Sequence, residues 1–291
     1  MKFAGSQAMR DMDRYTIDVL GVPSDTVMLR AARGLTDVIE KQLRPDGTAV
    51  ILCGSGNNGG DGIAAAKFLL EDGFRAACYM IGSREKMTED ANRMEALFKQ
   101  QGGVHRDGSE LTTLEHADVI VDALFGTGLS RAITGKYQTL IEEINASGKP
   151  VIACDIASGI SADTGEILGC AVKADVTVTF NLPKTGQLLP PGTEYTGQLV
   201  VHDIGIPQAA KDQVSFDGTY VTRDLVMSWL PKCKLESHKG DMGKLLLLCG
   251  STGFTGAAAL ASRAALRTGA GLVYLGVPEA VYPILAAKLD E

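Results

Sequence analysis

Aromatic residues are scarce in this chain, and clusters of basic residues are missing. Aromatic side chains make up 5% of the 291 residues, with a single tryptophan, which argues against a surface on which nucleic-acid bases stack. The net charge is −7 and no long block of lysine and arginine occurs, so we expect no nucleic-acid partner. No apolar stretch is long enough to span a bilayer, and no secretory leader is evident. We therefore expect a cytoplasmic protein without a membrane partner.

Paired cysteines of the CxxC type are absent as well. Cys53, Cys154 and Cys249 each end an apolar run, where cysteine usually serves as a small core residue. No cysteine–histidine group has the spacing of a zinc site. We interpret the cysteines as core thiols in a reducing compartment, rather than as nucleophiles or metal ligands. The six are Cys53, Cys78, Cys154, Cys170, Cys233 and Cys249.

The order of apolar patterns predicts an α/β protein. Strand-like and helix-like segments alternate between residues 48 and 202, which is typical of a parallel sheet covered by helices on both faces. A polar, unpatterned run over residues 207–218 is interpreted as a linker. We predict two domains, residues 1–212 and 213–291. The second is predicted to be the beginning of another α/β domain, because a stretch this short cannot cover a parallel sheet on both faces.

The most informative segment is the sequence AVILCGSGNNGGDG over residues 49–62. Its apolar part predicts a buried strand over Thr48–Cys53, and a helix is predicted over Gly62–Glu71. Glycines between a strand and a helix let backbone N–H groups approach a phosphate, although a simple tight turn is the alternative. The side chains of Asn57, Asn58 and Asp61 supply more polar groups than phosphate binding needs. This junction is therefore our first candidate for a ligand site.

Two further predicted strands lead into polar residues. Asp122 follows a strand over Asp118–Val121, and Asp155 follows a strand over Pro150–Cys154. Ligands of open α/β sheets bind at the carboxyl ends of the strands, so Asn58, Asp122, Asp155 and Ser158 are expected in one crevice. Turn capping is the alternative role of the two aspartates. We assign no catalytic or ligand-binding role to the other polar residues considered. Lys173 and Lys184 are interpreted as solvated surface residues, and His105, His116 and His202 as structural residues.

The oxygen-bearing side chains of the expected crevice also suit a hard cation. Asn58, Asp122 and Ser158 offer an amide, a carboxylate and a hydroxyl oxygen. A single carboxylate favours a monovalent ion over a tightly held divalent one.

Three motifs in a fixed order, GSGNNGGDG, VDALFGTGL and DIASGI, resemble those of the NAD(P)H-hydrate epimerase family. The resemblance covers about residues 1–205, and Ala157 stands where the family usually has proline. It implies a Rossmann-like three-layer sandwich around a mostly parallel sheet. It also implies an enzyme that interconverts the R and S forms of hydrated NADH or NADPH, a small-molecule substrate.

The resemblance further implies roles for individual residues. Asp122 falls where the family places its acid/base carboxylate. A potassium ion, K⁺, would be held by Asn58, Asp122 and Ser158. The substrate would be contacted by Asn57, Asn58, Gly59, Gly60, Asp61, Gly126, Thr127, Gly128, Leu129, Ser130, Arg131, Ala132, Tyr137 and Asp155. The amino-terminal arm, with MRDMDRYTID, favours a homodimer or higher homo-oligomer.

The tail from Ser237 onward resembles the start of the ADP-dependent NAD(P)H-hydrate dehydratase family, whose domain is ribokinase-like. His238, Lys239 and Ala257 match the opening of that domain. A complete domain would use ADP or ATP and would carry a later glycine-rich motif with a catalytic aspartate, and no such motif occurs in this sequence. Residues 213–291 are therefore expected to be an incomplete and inactive dehydratase (lyase) part of a multifunctional arrangement.

Two other functions compete with the epimerase. A non-catalytic nucleotide-binding or scaffold module of the same fold would be expected to lose the polar groups of the glycine segment or the carboxylate, yet Asn58, Asp122 and Asp155 are all present. A kinase-like phosphotransferase is disfavoured because no GxxxxGK[ST] motif occurs. We therefore predict an isomerase that acts in nicotinamide nucleotide repair.

Overall fold

A computed structural model describes residues 1–230 and 234–289. The chain divides into two compact units, Met1–Thr222 and Arg223–Glu291. The first unit therefore extends past the boundary predicted after residue 212. Cys233 lies outside the described residues. No described helix is both long and apolar enough to cross a membrane.

The first unit contains nine strands, seven of which form one parallel sheet in the order β4-β3-β2-β5-β6-β7-β8. The strands are β1 (Lys2–Phe3), β2 (Thr48–Cys53), β3 (Arg75–Met80), β4 (His105–Asp107), β5 (Val119–Ala123), β6 (Val151–Cys154), β7 (Val176–Phe180), β8 (Gln198–His202) and β9 (Gly218–Thr219). The chain moves outward from β2 to β4 and then returns to the other side of β2 to begin β5. The order therefore reverses between β2 and β5, which is where open α/β sheets form a ligand crevice.

Helices cover this sheet on both faces. They are α1 (Ser6–Arg14), continued by a π-helical turn over Tyr15–Val19, α2 (Ser24–Gln42), α3 (Asn57–Glu71), α4 (Glu89–Gln100), α5 (Lys136–Ala146), α6 (Thr185–Leu188), α7 (Gly192–Thr196) and α8 (Gln208–Lys211). Helices α1 to α4 pack with Ile51 and Cys53 in one core cluster, whereas α5 packs with Val50 and Leu52 in another. Alternate residues of β2 thus enter opposite cores, which explains its continuous apolar run. The Rossmann-like three-layer architecture is confirmed.

The second unit carries a short parallel pair of strands. Its described elements are α9 (Arg223–Trp229), β10 (Lys244–Leu248), α10 (Thr255–Arg267), β11 (Leu272–Gly276) and α11 (Tyr282–Ala286). Strands β10 and β11 pair in parallel with Lys244 opposite Leu272. The apolar runs predict strands over Lys244–Cys249 and Gly271–Val277, and both strands are present, each ending one residue before the predicted end.

The amino-terminal stretch is tied into the first unit by backbone hydrogen bonds. The Ala4 N–H donates to the carbonyl of Pro183 at 3.2 Å, and the Thr185 N–H donates to the carbonyl of Ala4 at 3.3 Å. Strand β1 pairs with β9, which is why the first unit includes residues beyond 212. The predicted linker over residues 207–218 therefore contains α8 and the start of β9.

The glycine segment after β2 is mostly helical. We predicted a helix from Gly62, but α3 begins at Asn57, so the connecting loop is confined to residues 54–56. A Cβ on Gly59 would lie 1.9 Å from the Gly54 carbonyl oxygen, and one on Gly62 would lie 2.6 Å from the Ala123 Cβ. These glycines let the first turns of α3 lie directly against the ends of β2 and β5.

We expect Gly59→Ala to destabilise the first unit by at least about 2 kcal/mol, because the added methyl group meets backbone that cannot move aside. Gly56→Ala is the matched control, since a Cβ there has no neighbour within 4 Å and the φ of Gly56 is −87°. The measurement is urea unfolding followed by circular dichroism, because the single tryptophan, Trp229, belongs to the second unit. Equal unfolding midpoints for the two variants would contradict this account of the segment.

Candidate functional site

A cavity of about 960 Å³ lies in the first unit where β2 and β5 end. Its volume is at the upper end of the range for small-molecule sites and is sufficient for a dinucleotide. Most of the residues predicted to contact the substrate line it: Asn57, Asn58, Asp61, Gly126, Thr127, Gly128, Leu129, Ser130, Arg131, Tyr137 and Asp155. The predicted residues Gly59, Gly60, Ala132, Asp122 and Ser158 are not among the lining residues.

Gly59 and Gly60 are buried in packing contacts instead of facing the cavity. A Cβ on Gly60 would lie 3.0 Å from the Met28 side chain and 3.2 Å from Ala91. Close packing therefore explains why these two positions are glycine, and their predicted contact with a nucleotide stays a prediction.

Asn58 brings an unpartnered, buried amide to the described cavity lining. Its side-chain oxygen and nitrogen are both buried, and neither forms a hydrogen bond in the structure. A Cβ on Gly126 would lie 3.1 Å from Asn58 Cβ and 3.4 Å from Asn58 Oδ1, so the absence of a side chain at Gly126 lets that segment lie close against the amide. Because a buried amide without a partner costs free energy, we interpret Asn58 as a ligand-binding group.

Asp122 lies inside β5 and not after its end, which corrects the predicted strand bounds. It is paired between Leu52 and Ala153 of the neighbouring strands and is fully buried. The Ser158 N–H donates to one carboxylate oxygen at 2.8 Å, and the Ser158 hydroxyl and Leu124 N–H donate to the other at 2.6 and 3.2 Å. Burial raises the pKa of Asp122 to about 6, against these hydrogen bonds. The structure thus brings Asp122 and Ser158 together beneath the cavity surface.

Lys184 is buried, so its interpretation as a solvated surface lysine was wrong. It is 1% exposed, lines the cavity and forms an ion pair with Asp155. Its ammonium group also donates to the Thr179 hydroxyl at 2.8 Å and to the Phe180 carbonyl at 3.2 Å. Lys184 lies in the connection between β7 and β8, where no helical or strand-like pattern of apolar residues indicates which side chains are buried.

Asp155 is held in an unusual backbone conformation. Its φ is +65°, which a residue with a side chain adopts at a cost of about 1–3 kcal/mol and which is most common at functional sites. The Phe180 N–H donates to its carboxylate at 3.1 Å, and the Gln187 side chain donates to its carbonyl at 2.7 Å. These bonds fix the carboxylate next to Lys184 at the cavity wall.

Two more carboxyl groups line the cavity near this ion pair. Burial raises the pKa of Asp61 well above its usual range, and the nearby charges of Asp155 and Asp13 raise it further. Burial also raises the pKa of Asp13 to about 6, which Lys184 partly offsets. We did not predict Asp13 as a site residue. Its position four residues after the buried Met9 on α1 is the signal that could have placed it on the inward face.

Cations and aromatic rings also line the cavity. The basic lining residues besides Lys184 are Arg10, Lys86, Arg131 and Lys136. The rings of Phe125 and Tyr137, which also line the cavity, lie with their centroids 4.9 Å apart. The cavity therefore combines positive charge with apolar ring surface, as a phosphate-bearing aromatic ligand would require.

Comparison with known proteins identifies the family. A family model described as YjeF-related protein N-terminus matches residues 24–186. The NAD(P)H-hydrate epimerase of Limosilactobacillus fermentum is 40% identical over 196 residues, which cover 67% of this chain and 93% of that protein. The chain belongs to the NAD(P)H-hydrate epimerase family. The resemblance drawn from the three motifs is confirmed.

Longer relatives of this epimerase family extend the match. The bifunctional NAD(P)H-hydrate repair enzyme Nnr of Moorella thermoacetica is 37% identical over 294 residues, which cover 97% of this chain and 55% of that protein. The chain thus spans about half the length of these curated relatives. The crystal structure of yeast ynu0, YNL200c, shares the fold, with a TM-score of 0.64 at 20% identity over 77% of this chain and 98% of that one.

The residues matched to a dehydratase lie in the second unit. Lys239 begins a short 3₁₀ turn, which His238 precedes with its ring 3.4 Å from the Asp241 carboxylate. Ala257 is exposed on α10. The role of these three residues stays a prediction.

The raised pKa of Asp13 predicts how stability varies with pH. A carboxyl group with a folded-state pKa of about 6 and an unfolded value of 3.8 favours the folded state below pH 3.8, and this contribution is lost as the pH rises through 6. The difference corresponds to about 3 kcal/mol.

We therefore expect Asp13→Asn to be more stable than the wild type at pH 8, and this gain should vanish towards pH 4. Urea unfolding across this pH range measures the difference. Asp18→Asn changes an exposed carboxyl group of the adjoining turn and should show no such gain. A pH-independent difference for Asp13→Asn would contradict the assignment.

Proposed function

We propose that this chain interconverts the R and S forms of hydrated NADH or NADPH. The observation that carries this proposal is the unpartnered Asn58 amide, in a dinucleotide-sized cavity that contains the motifs shared with the epimerase family. Glycines alone would fit many phosphate ligands, whereas the added amide, ion pair and raised-pKa carboxyl groups suit proton chemistry on a bound nucleotide.

The cavity offers distinct regions for the parts of such a nucleotide. Its diphosphate would be bound by the amino-terminal end of α3 and by nearby cations such as Arg131 and Lys136, since helix amino termini favour anions. A ring of the nucleotide would pack against Phe125 and Tyr137. The hydrated nicotinamide would then face the acidic group formed by Asp13, Asp61 and Asp155.

The reaction requires a group that gives and takes one proton. Inversion at the hydrated carbon can proceed by loss of hydroxyl as water and re-addition of water to the opposite face. A protonated carboxyl group would supply the proton to the departing hydroxyl, and the resulting carboxylate would accept a proton from the incoming water. Asp61 and Asp13 fit this role, because both face the cavity and their pKa values are raised.

Asp155 and Lys184 would serve a complementary purpose. The intermediate is cationic after the hydroxyl departs, and a fixed carboxylate stabilises positive charge without reorganising. The ion pair with Lys184 and the hydrogen bond from the Phe180 N–H hold the Asp155 carboxylate in a fixed position at the cavity wall. Asp122, to which the resemblance gives the acid/base role, is 0% exposed and lies beneath the cavity surface, where it would position Ser158.

We also propose that K⁺ is bound by Asn58, Asp122 and Ser158. An amide, a hydroxyl and a single carboxylate oxygen suit a hard monovalent ion. The Asn58 oxygen has no hydrogen-bond partner and is therefore available to bind one. When bound, K⁺ would supply positive charge beneath the nucleotide. Ser158 also holds the segment after β5 in place, because its hydroxyl accepts a hydrogen bond from the Phe125 N–H at 2.9 Å.

The second unit is proposed to contribute no dehydratase activity. The described residues there form one parallel strand pair with three helices, which supports the prediction that a polypeptide of these 291 residues does not dehydrate the S form with ADP. Homo-oligomerisation and cytoplasmic location also stay proposals.

Asp61→Asn should lower the rate of R-to-S conversion by about 100-fold or more, the usual contribution of a general acid or base. The measurement is chromatographic separation of the two hydrate epimers, corrected for spontaneous conversion. Asp18→Asn should keep the wild-type rate. If Asp61→Asn also keeps that rate while Asp122→Ala, with its fold intact, abolishes activity, proton transfer belongs to Asp122 instead.

Epimerisation should be faster in K⁺ than in Na⁺ of equal ionic strength, because K⁺ is the ion that we propose the oxygens of Asn58, Asp122 and Ser158 bind. Ser158→Ala should remove this preference by deleting one donor. The same chromatographic assay measures both effects. Identical rates in the two salts for the wild type would argue against the ion site without touching the epimerase assignment.

A further inference from the structure

Three residues from neighbouring strands converge away from the cavity. Cys53 ends β2, Cys78 lies in β3 and His105 begins β4. Cys78 is the register partner of His105, and Cys53 lies two residues beyond Ile51, the partner of Cys78. All three side chains therefore point to the same face of the sheet. One ligand atom from each lies within 4.8 Å of the other two, and all three residues are buried.

This cluster corrects our statement that no cysteine–histidine group could bind zinc. The three residues are far apart in the sequence, and β4, with the polar sequence HRD, was not predicted as a strand. Only the parallel pairing of β2, β3 and β4 brings them together.

His105 has a vacant ligand position. Its Nδ1 lies 2.9 Å from Glu95 Oε1, and its Nε2 is buried without a hydrogen-bond partner. The side chain is 0% exposed, so bulk solvent does not reach this nitrogen. A carboxylate on the far nitrogen is how proteins commonly orient a metal-binding histidine. Glu95 is itself held by Lys99 at 3.0 Å and by Arg84.

The two sulfur atoms stand 3.4 Å apart. Two metal–sulfur bonds of about 2.3 Å at trigonal angles would separate them by about 4 Å, which a small rotation of one side chain provides. The ion would bind the two sulfur atoms as thiolates, and the thiol protons would be released as it binds.

We propose that Cys53, Cys78 and His105 form a buried site for one thiophilic d¹⁰ cation, Cu(I) or Zn(II). Two thiolates and an imidazole are soft or borderline ligands that both ions accept. This site lies outside the described cavity lining and does not depend on the proposed epimerase function. Its role is structural, because it would join three adjacent strands beneath α4.

The test is metal retention by the whole chain. The protein is produced in cells supplied with zinc or copper, because a closed site must fill before or during folding, and it is purified with a reductant. Native mass spectrometry then counts bound ions, and the two metal arms identify which ion is held. We expect one ion per chain and a rise in Tm of about 5 °C or more over the metal-free protein.

Variants separate the cluster from other cysteines. Cys78→Ser and His105→Gln should lose the ion, and Glu95→Gln, which changes a positioning residue, should weaken retention by about 10–100-fold. Cys170→Ser is the matched control, since Cys170 is a half-buried thiol outside the cluster, and it should retain the ion. Loss of metal from Cys170→Ser to the same extent would overturn the proposal.

A measurement on the wild type keeps the proposal testable if a core variant fails to fold. The loaded and metal-free wild-type proteins are treated with an alkylating reagent in mild urea, and modified cysteines are mapped. We expect the metal to protect Cys53 and Cys78 but not Cys170. No retained metal in either arm overturns the proposal, as does a Cys53–Cys78 disulfide formed under oxidant in a protein that binds no metal.

Discussion

The hydrogen-bonded pairing of β2 with β5 is the constraint on which the site depends. These strands are neighbours in the sheet, yet the chain leaves them in opposite directions, so the segments that follow them diverge and open a crevice. Helix α3 can begin beside both strand ends because Gly59 and Gly62 carry no side chains. Sheet order creates the space, and the small residues of α3 let its first turns lie directly against the strand ends.

Charges of both signs meet in the lining of this crevice. Arg131 and Lys136 line it together with other cations, and Asp13, Asp61 and Asp155 interact with a single ammonium group, that of Lys184. One ammonium group cannot neutralise three carboxylates in a shielded place, so two of them retain protons more readily than in water. The same crowding that destabilises the folded state at high pH therefore prepares groups that can exchange protons with a substrate.

Much of the fold could be predicted from the sequence, because buried parallel strands leave continuous apolar runs, whereas the glycines hid the true start of α3 at Asn57. The predicted crevice residues Asn58 and Asp155 do line one cavity. Strand ends were less certain: Asp122 proved to be a strand residue because hydrogen bonds from Ser158 and Leu124 satisfy its carboxylate within the sheet. Lys184 and Asp13 were missed since their burial depends on partners distant in sequence. The polar edge strand β4 was missed because it lacks an apolar pattern.

The backbone bonds of Ala4 to Pro183 and Thr185 have a practical consequence. Pro183 and Thr185 flank Lys184 in the sequence, so the amino-terminal stretch holds in place the backbone that carries the Lys184 ammonium group. Proteolytic removal of that stretch, or a bulky affinity tag fused in front of it, would therefore disturb the position of Lys184 and its ion pair with Asp155. Enzyme preparations that differ in this short stretch would then differ in activity while their main sheet stayed the same.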